Sequence, residues 1–250
     1  MTRLKNKVVI VTGGASGVGR DAALLLASEG ARVAIADVDE SGGRSAAAEL
    51  GGSGLFVRHD ISSETSWEVL IQTVTAHFGA PQGLVNNAAI FTTESIEQTS
   101  LVLWRKVLAI NADGCFLGCK AAIGAMKQHG GSIVNMSSTA ALAGFAGMAA
   151  YTASKGAVTA LTRNVAVHCR DQGYRIRCNS VHPGGINTPM TAAIWATMDA
   201  GAVSFESNPR STTCEPREIS NLILFLLSDE SRFITGTEMR IDNALLIAPV

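Results

Sequence analysis

The chain has 250 residues, 47% of them hydrophobic and 16% charged, and its 20 basic and 21 acidic residues leave a net charge of -1. This composition predicts a folded protein with a large core and excludes intrinsic disorder, and the even charge balance argues against a nucleic-acid partner. The longest apolar runs, such as 222–227, are too short to cross a bilayer, so we expect no membrane partner.

Short apolar runs alternate with longer segments of helical period along the chain. Strands are predicted at 7–13, 32–37, 54–60, 83–89, 131–138, 174–183 and 237–242. Helices are predicted at 18–31, 42–52, 63–79, 100–130, 151–172 and 216–229. Strands that are apolar throughout and separated by helices predict an α/β fold, with a seven-stranded parallel sheet flanked by helices on both faces. We expect a single domain over 1–250, with a substrate lid in the long irregular segment at about 189–214.

The amino terminus and the cysteines predict a cytoplasmic protein. The first apolar stretch ends in glycines rather than in a small-residue cleavage site, which argues against a signal peptide. The five cysteines form no C-x-x-C pair, and the five histidines show no metal-ligand spacing. We therefore expect reduced, buried thiols and no metal site.

The first strand leads into the glycine-rich turn "TGGASGVG" at 12–19. Glycines at a strand-to-helix turn let the backbone approach a pyrophosphate, which the free N–H groups at the helix start then bind. The alternative is a glycine-rich turn without a ligand. The predicted cofactor contacts in this turn are Gly13, Ser16, Gly17, Val18 and Gly19.

Asp37 ends the second predicted strand, where an acidic side chain binds the ribose hydroxyls of NAD. A carboxylate there would repel the 2′-phosphate of NADP, so NAD is the predicted cofactor, although Arg20 and Arg44 leave NADP open. Asp60 follows the third strand and has two interpretations. It either accepts a hydrogen bond from the adenine amino group or caps a helix that starts near residue 62 or 63, and the sequence slightly favours the cap.

Several motifs occur in a fixed order: the glycine turn, "NNAA" at 86–89, Asn111, Ser138, "YTASK" at 151–155 and "PGGINT" at 183–188. With these motifs the chain resembles the short-chain dehydrogenase/reductase family over nearly its whole length, which implies a Rossmann-like doubly wound fold. Stretches such as "IDNALL" are closest in pattern to bacterial NAD-dependent 3β/17β-hydroxysteroid dehydrogenases. This similarity implies secondary alcohol and ketone chemistry but does not fix a steroid as the substrate.

The resemblance implies four catalytic residues. Tyr151 corresponds to the general acid/base, Lys155 to its partner, Ser138 to the hydroxyl that orients the substrate, and Asn111 to the residue that holds a proton-relay water. The chemistry is reasonable, because a tyrosine has a pKa near ~10 and needs a nearby positive charge to act as a base at neutral pH. A lysine four residues away on a helix supplies that charge from the same face.

The resemblance also implies cofactor contacts beyond the glycine turn. Asn86 and Ala88 lie on the strand that borders the nicotinamide, and Thr188 and the backbone near Ile186 bind the carboxamide. The full predicted set outside the turn is Asp37, Asp60, Ile61, Asn87, Ala88, Tyr151, Lys155, Pro183, Gly184, Ile186 and Thr188. Two departures stand out, because Ala89 replaces a usual glycine and "DNA" at 242–244 replaces the usual D-G-G.

The predicted substrate site is apolar and roomy. Small residues fill 139–149, beside the catalytic pair, and apolar side chains recur in the predicted lid, although these would also suit an ordinary amphipathic helix. The predicted substrate contacts are Ser138, Tyr151, Phe145, Met190 and Trp195. For His182, a packing role is favoured over a substrate contact.

The leading hypothesis is an oxidoreductase that transfers a hydride between NAD and a bulky apolar secondary alcohol or ketone. The alternatives are a 3-oxoacyl thioester reductase of the same fold and a non-catalytic nucleotide-sensing protein. The resemblance further implies a homotetramer that is built on the helices at about 100–127 and 151–172.

Overall fold

The computed structural model describes residues 2–192 and 208–248. The strands of its main sheet are β1 (Val8–Thr12), β2 (Arg32–Asp37), β3 (Gly54–Arg58), β4 (Gly83–Asn86), β5 (Gly131–Met136), β6 (Ile176–Pro183) and β9 (Glu238–Ile241). All seven are parallel and lie in the order β3-β2-β1-β4-β5-β6-β9. The strand order reverses between β1 and β4, and this switch point is where doubly wound folds bind ligands. The predicted α/β fold class is confirmed.

Successive side chains of each strand point to opposite faces of the sheet, and both faces are buried. Among the described residues, two clusters of buried side chains form the core. On one face of the sheet, Val9 and Val33 pack in a cluster with Ile219 and Ile223, and on the opposite face Ile10 packs in the second cluster. The first face is covered by helices α1 (Gly17–Ser28), α2 (Glu40–Glu49) and α7 (Pro216–Leu227), and the second by α3 (Glu64–Phe78), α4 (Leu101–Leu108), α5 (Gly114–Met126) and α6 (Ala149–Asp171). A sheet with buried faces on both sides explains why its strands are apolar throughout.

The long helix predicted at 100–130 is interrupted. A π-helical turn at Ala109–Asp113 separates α4 from α5 and contains Asn111. The stretch Leu101–Met126 is long and apolar enough to cross a membrane by composition, with a mean hydropathy of 1.3 over its best window. Its buried residues, Cys119 and Met126 among them, pack on the sheet, so we assign it to the helical layer of the fold.

Two short strands, which the sequence did not predict, lie at the base of the predicted lid. The strands β7 (Gly185–Ile186) and β8 (Thr213–Cys214) pair in parallel and so bring the two ends of the segment together. Residues 189–192 are helical. The predicted substrate contact Trp195 lies outside the described residues.

Candidate active site

The glycine-rich turn is locked to the end of β4 by four hydrogen bonds. The Thr12 hydroxyl accepts hydrogen bonds from the backbone N–H groups of Asn87 (3.0 Å) and Ala88 (3.1 Å). The Asn87 side chain donates to the carbonyl oxygens of Thr12 (3.0 Å) and Gly13 (3.2 Å). The predicted strand at 83–89 therefore ends at Asn86, because Asn87 and Ala88 leave the sheet to hold the turn.

Glycine is required at two positions of this turn. Gly13 has a φ of 65°, and a Cβ atom there would lie 2.9 Å from Ala88 Cα. A Cβ atom on Gly19 would lie 2.1 Å from the Gly13 carbonyl oxygen. The helix α1 begins directly after Ser16, whose exposed side chain makes no capping bond, and its first turn carries no acidic residue. The turn thus presents free N–H groups at a helix start, as a pyrophosphate requires.

Asp37 lies against the same turn. Its carboxylate accepts hydrogen bonds from the backbone N–H groups of Ala15 (3.0 Å) and Asp39 (3.0 Å). The two arginines that left NADP open both have acidic partners: Arg20 pairs with Glu49 at 2.5 Å, and Arg44 pairs with Glu40 at 3.3 Å. The negative charge at the end of β2 is therefore not balanced by either arginine.

Asp60 does not cap helix α3. The N-cap is Ser63, whose side chain accepts a hydrogen bond from the Ser66 N–H group. Asp60 instead accepts from the backbone and hydroxyl of Ser62, and these bonds lower the pKa of its carboxyl group. The slight preference for a cap was wrong, because the chain makes one further turn before the helix starts. Asp60 remains exposed, whereas its neighbour Ile61 is buried.

Tyr151 and Lys155 share one face of α6, as their spacing predicts. The Lys155 ammonium lies 5.6 Å from the centre of the Tyr151 ring, and it donates a 2.7 Å hydrogen bond to the Met136 carbonyl at the end of β5. Burial lowers the pKa of Lys155 to about 8. Burial also raises the pKa of Tyr151 to about 12, and a hydrogen bond with the Ser138 hydroxyl opposes that rise. The three residues form one cluster at the carboxyl end of the sheet.

Asn111 fixes the position of that cluster from the adjacent helix. Its amide group donates to the Ile90 carbonyl (2.9 Å) and the Ser154 hydroxyl (3.0 Å) and accepts from the Ile90 N–H group (2.9 Å). The Ser154 hydroxyl in turn donates to the Tyr151 carbonyl (2.7 Å). Because both amide hydrogens of Asn111 are used by protein atoms, its side chain acts as a structural link, and π turns commonly mark such functional positions.

A small cavity lies beside this link. Its volume of about 10 Å³ is near the minimum that a single water molecule needs. Most of the lining is polar or small, and it includes both Asn111 and Lys155. The lining residues are Thr12, Ile61, Asn86, Ala88, Asn111, Gly114, Cys115, Met136, Lys155 and Val158.

The segment after β6 returns to the glycine turn. Pro183 pairs with Ile241, and the N–H group of Gly184 donates to the Ile241 carbonyl (3.1 Å). Ile186 lies in β7, and its carbonyl accepts a hydrogen bond from the Thr191 hydroxyl. A Cβ atom on Gly17 would lie 3.4 Å from the Thr188 methyl group, so Thr188 lies against the turn. The structure thus brings Thr188 against the predicted pyrophosphate turn.

The predicted substrate contacts are only partly described. Phe145 is half-buried, and Met190 is 49% exposed at the start of the predicted lid. Phe91, which the sequence analysis missed, packs edge-on against Tyr151 with a centroid distance of 4.7 Å. The only sequence signal for Phe91 is its position soon after "NNAA". Ser154 was also missed, although it lies within the "YTASK" motif.

His182 is fully buried, in agreement with the favoured packing role. Its ring nitrogens contact the Ser138 carbonyl (3.1 Å) and the Ser180 hydroxyl (2.8 Å). All five cysteines are free thiols; four are buried, as predicted, whereas Cys214 is only half-buried. The "DNA" departure has a backbone consequence, because Asn243 and Ala244 adopt φ values of 45° and 64°, a region that favours glycine.

A family model described as "Enoyl-(Acyl carrier protein) reductase" matches residues 13–244. A 3-beta-hydroxysteroid dehydrogenase of Comamonas testosteroni is 45% identical over 98% of this chain and 97% of its own. The chain belongs to the short-chain dehydrogenase/reductase family. This assignment confirms the resemblance that the motifs indicated.

Other members of the short-chain dehydrogenase/reductase family extend the comparison. An NADP-dependent (R)-specific alcohol dehydrogenase of Lentilactobacillus kefiri is 39% identical over 96% of this chain and 97% of its own. The crystal structure of levodione reductase matches with a TM-score of 0.90 and 32% identity, and the match covers 99% of this chain and 100% of that one. Because the relatives are dehydrogenases and reductases of alcohols and ketones, the chain is an oxidoreductase.

Proposed function

We propose that the protein is an NAD-dependent dehydrogenase and ketone reductase for secondary alcohols, with a preference for bulky, apolar ones. The observation that carries the proposal is the cluster of Tyr151, Lys155 and Ser138, which lies at the carboxyl end of the sheet near the glycine turn. Acid/base, cationic and hydroxyl groups are those that hydride transfer to or from a carbonyl requires.

The chain has the features that NAD binding requires. The helix start after Ser16 offers N–H groups to the pyrophosphate. A side chain at Gly13 would collide with Asn87 and Ala88, and one at Gly19 would collide with the Gly13 carbonyl. Asp37 would bind the ribose hydroxyls, and Asp60, Ile61, Asn87, Ala88, Pro183, Gly184, Ile186 and Thr188 would complete the site. When bound, the nicotinamide ring supplies the acceptor or donor for the hydride.

NAD is favoured over NADP by charge. A 2′-phosphate on the ribose would approach the Asp37 carboxylate, which stands beside the Ala15 N–H group. Arg20 and Arg44, the cations considered for that phosphate, are paired with glutamates. The NADP-dependent relative means that family membership alone does not fix the cofactor.

Tyr151 moves the proton. With a pKa of about 12, its phenol is protonated at neutral pH and is ready to donate to a ketone oxygen during reduction. In alcohol oxidation the phenolate must accept the hydroxyl proton, and the Lys155 ammonium lowers the free energy of that anion. Ser138 donates a hydrogen bond that orients the substrate oxygen, and Asn111 keeps Tyr151 in place through Ser154. The cavity beside Asn111 and Lys155 would hold the proton-relay water.

The substrate preference follows from the side chains near Tyr151. The ring of Phe91 packs against Tyr151, the predicted substrate contacts Phe145 and Met190 are partly exposed apolar side chains, and the segment 139–149 consists mostly of small residues. An uncharged cyclic, aryl or steroid-like alcohol would bury apolar area there without leaving a charge unpaired. Trp195 belongs to the same proposal on sequence grounds alone.

Two alternatives remain distinguishable. The first is a 3-oxoacyl thioester reductase of the same fold; the matching family model is described as a reductase of enoyl rather than of 3-oxoacyl groups. Asp37 argues against it, because such reductases typically use NADPH. A nucleotide-sensing protein without activity would have no need of the complete set Asn111, Ser138, Tyr151 and Lys155.

The assembly and the location are also proposals. Large apolar side chains are exposed on the helices that the family resemblance assigns to subunit contacts, namely Leu101, Val102, Phe116 and Val167. These exposed side chains support a homotetramer. Free, buried thiols support a cytoplasmic enzyme.

The test is turnover by the purified protein. Steroid, cyclic and aryl secondary alcohols are each supplied with NAD⁺ or NADP⁺, and a 3-oxoacyl thioester is supplied with NADH or NADPH. We expect NADH to appear with the bulky apolar alcohols, at a kcat/KM that exceeds the NADP⁺ value. Turnover of the thioester alone with NADPH would replace the proposal with the reductase, and no turnover despite tight NAD binding would favour the sensing protein.

A further inference from the structure

The imidazole of His182 connects the sheet to the catalytic serine. The backbone pairing of β5 with β6 ends where the Ser137 N–H group donates to the Val181 carbonyl at 2.8 Å. One residue further along each strand, no backbone bond joins Ser138 and His182, and the His182 ring instead contacts the Ser138 carbonyl at 3.1 Å. The side chain of His182 is fully buried, so it has no access to solvent.

The hydrogen-bond partners select one tautomer of this ring. The Ser138 carbonyl can only accept, so Nδ1 of His182 must carry the hydrogen. In a neutral ring Nε2 is then an acceptor, and the Ser180 hydroxyl donates to it at 2.8 Å. Burial lowers the pKa of His182, which agrees with a neutral ring at pH 7. The Ser138 carbonyl therefore selects the tautomer, and the Ser180 hydroxyl holds the other side of the ring by donating to Nε2.

The Ser138 backbone needs such a support. Ser138 is extended, with φ -165° and ψ 158°, and it stands between the end of β5 and a short 3-10 turn at Thr139–Ala141. Its neighbours are already fixed, because the Met136 carbonyl accepts from Lys155 and the Ser137 hydroxyl bonds to Thr159 (2.9 Å). The Ser138 carbonyl accepts from the Ala141 N–H group within the 3-10 turn (3.0 Å), and His182 adds the hydrogen bond that ties it to β6.

We propose that His182 is a positioning residue that, with Ser180, orients the Ser138 hydroxyl toward the substrate oxygen. The inference rests on the proposed function, since it acts through the role of Ser138. His182 itself touches no reacting atom. Loss of the bond would leave the Ser138 carbonyl held only from within its own turn, so Ser138 could shift relative to β6, and small misplacements of an orienting group lower kcat strongly.

The first test compares three substitutions at one site. In His182→Asn the side-chain NH₂ group takes the position of Nδ1 and still donates to the Ser138 carbonyl, whereas His182→Gln reaches the Nε2 position instead. We expect His182→Gln and His182→Ala to lose about 10- to 100-fold in kcat, with the Kd for NADH unchanged, and His182→Asn to recover most of that loss. Equal losses in Asn and Gln variants would overturn the proposal.

A second comparison separates positioning from general packing. In a Ser138→Ala background, His182→Gln should produce almost no further loss of kcat, because the hydroxyl that His182 orients is gone. If His182→Gln lowers kcat by the same factor in the Ser138→Ala background as in the wild-type protein, the proposal is overturned. Ser180→Ala is a milder variant, and we expect it to give an intermediate loss of kcat.

The closing experiment does not depend on activity. Nitrogen-15 NMR of the imidazole in the intact protein at pH 7 should show a neutral His182 ring with hydrogen on Nδ1, and in Ser180→Ala the same tautomer with the Nε2 resonance shifted toward that of a nitrogen without a hydrogen bond. Hydrogen on Nε2 in the wild-type protein would overturn the proposal even if the enzyme is active. The predicted tautomer in a protein that turns over no alcohol would instead show that the proposed function has failed.

Discussion

Gly19 gives the sharpest test of the predicted cofactor turn. In Gly19→Ala the new methyl group would lie 2.1 Å from the Gly13 carbonyl oxygen and 2.6 Å from the Asn87 amide nitrogen. Ordinary contacts begin near 3.4 Å, so the turn must move by more than 1 Å. Overpacking of this size costs about 1–3 kcal/mol, which corresponds to roughly a 5- to 150-fold higher Kd for NADH if the strain falls on the binding conformation.

Isothermal titration calorimetry measures that Kd, and denaturant unfolding measures stability. Gly124→Ala in α5 is the matched control, because it is also helical but its new methyl group meets nothing within 4 Å. This control should bind NADH normally and gain about 1 kcal/mol from helix propensity. If Gly19→Ala binds NADH as well as the wild type and is equally stable, the turn does not have the assigned role.

Three further substitutions test other parts of the account. Asp37→Asn removes the charge but keeps one acceptor, and should lower the NAD⁺/NADP⁺ ratio of kcat/KM by about 10- to 100-fold; an unchanged ratio would refute the role of Asp37. The pKa of Lys155 is about 8 in the folded protein, below the 10.5 of an ordinary lysine, so unfolded chains bind more protons from pH 8 to 10. Over that range, wild-type stability in urea should rise by about 2 kcal/mol relative to Lys155→Met, and a flat difference would contradict the buried ammonium. Ala244→Gly relieves the φ of 64° and should raise stability by about 1 kcal/mol, whereas Ala27→Gly in α1 should lower it by a similar amount.

The sheet and its helical layers could be predicted because their signals are local. Apolar runs and helical periods lie within single segments, and the glycine turn and "YTASK" each fit within a few residues. The predicted cluster of Tyr151, Lys155 and Ser138 therefore formed as expected. Asn111 could be predicted only through the family resemblance, from its place in the fixed order of motifs.

The missed features depend on contacts between distant segments. The π turn accompanies bonds between Asn111 and Ile90, which are 21 residues apart. The lock between Thr12 and Asn87 joins residues 75 apart, and His182 reaches Ser138 across 44 residues. Periodicity and spacing carry no information on such pairings, because they exist only after the strands align. The prediction that Asp60 caps helix α3 was wrong for a local reason: the chain makes one further turn before the helix, so Ser63 is the N-cap.

The central claim is that Tyr151 transfers the proton, and Tyr151→Phe tests it most directly. This substitution removes only the phenolic oxygen and keeps the ring that packs edge-on against Phe91. We predict that NADH binds with an unchanged Kd while kcat for alcohol oxidation falls by about 10²- to 10⁴-fold. A variant that oxidises the same alcohol at the wild-type rate would contradict the account.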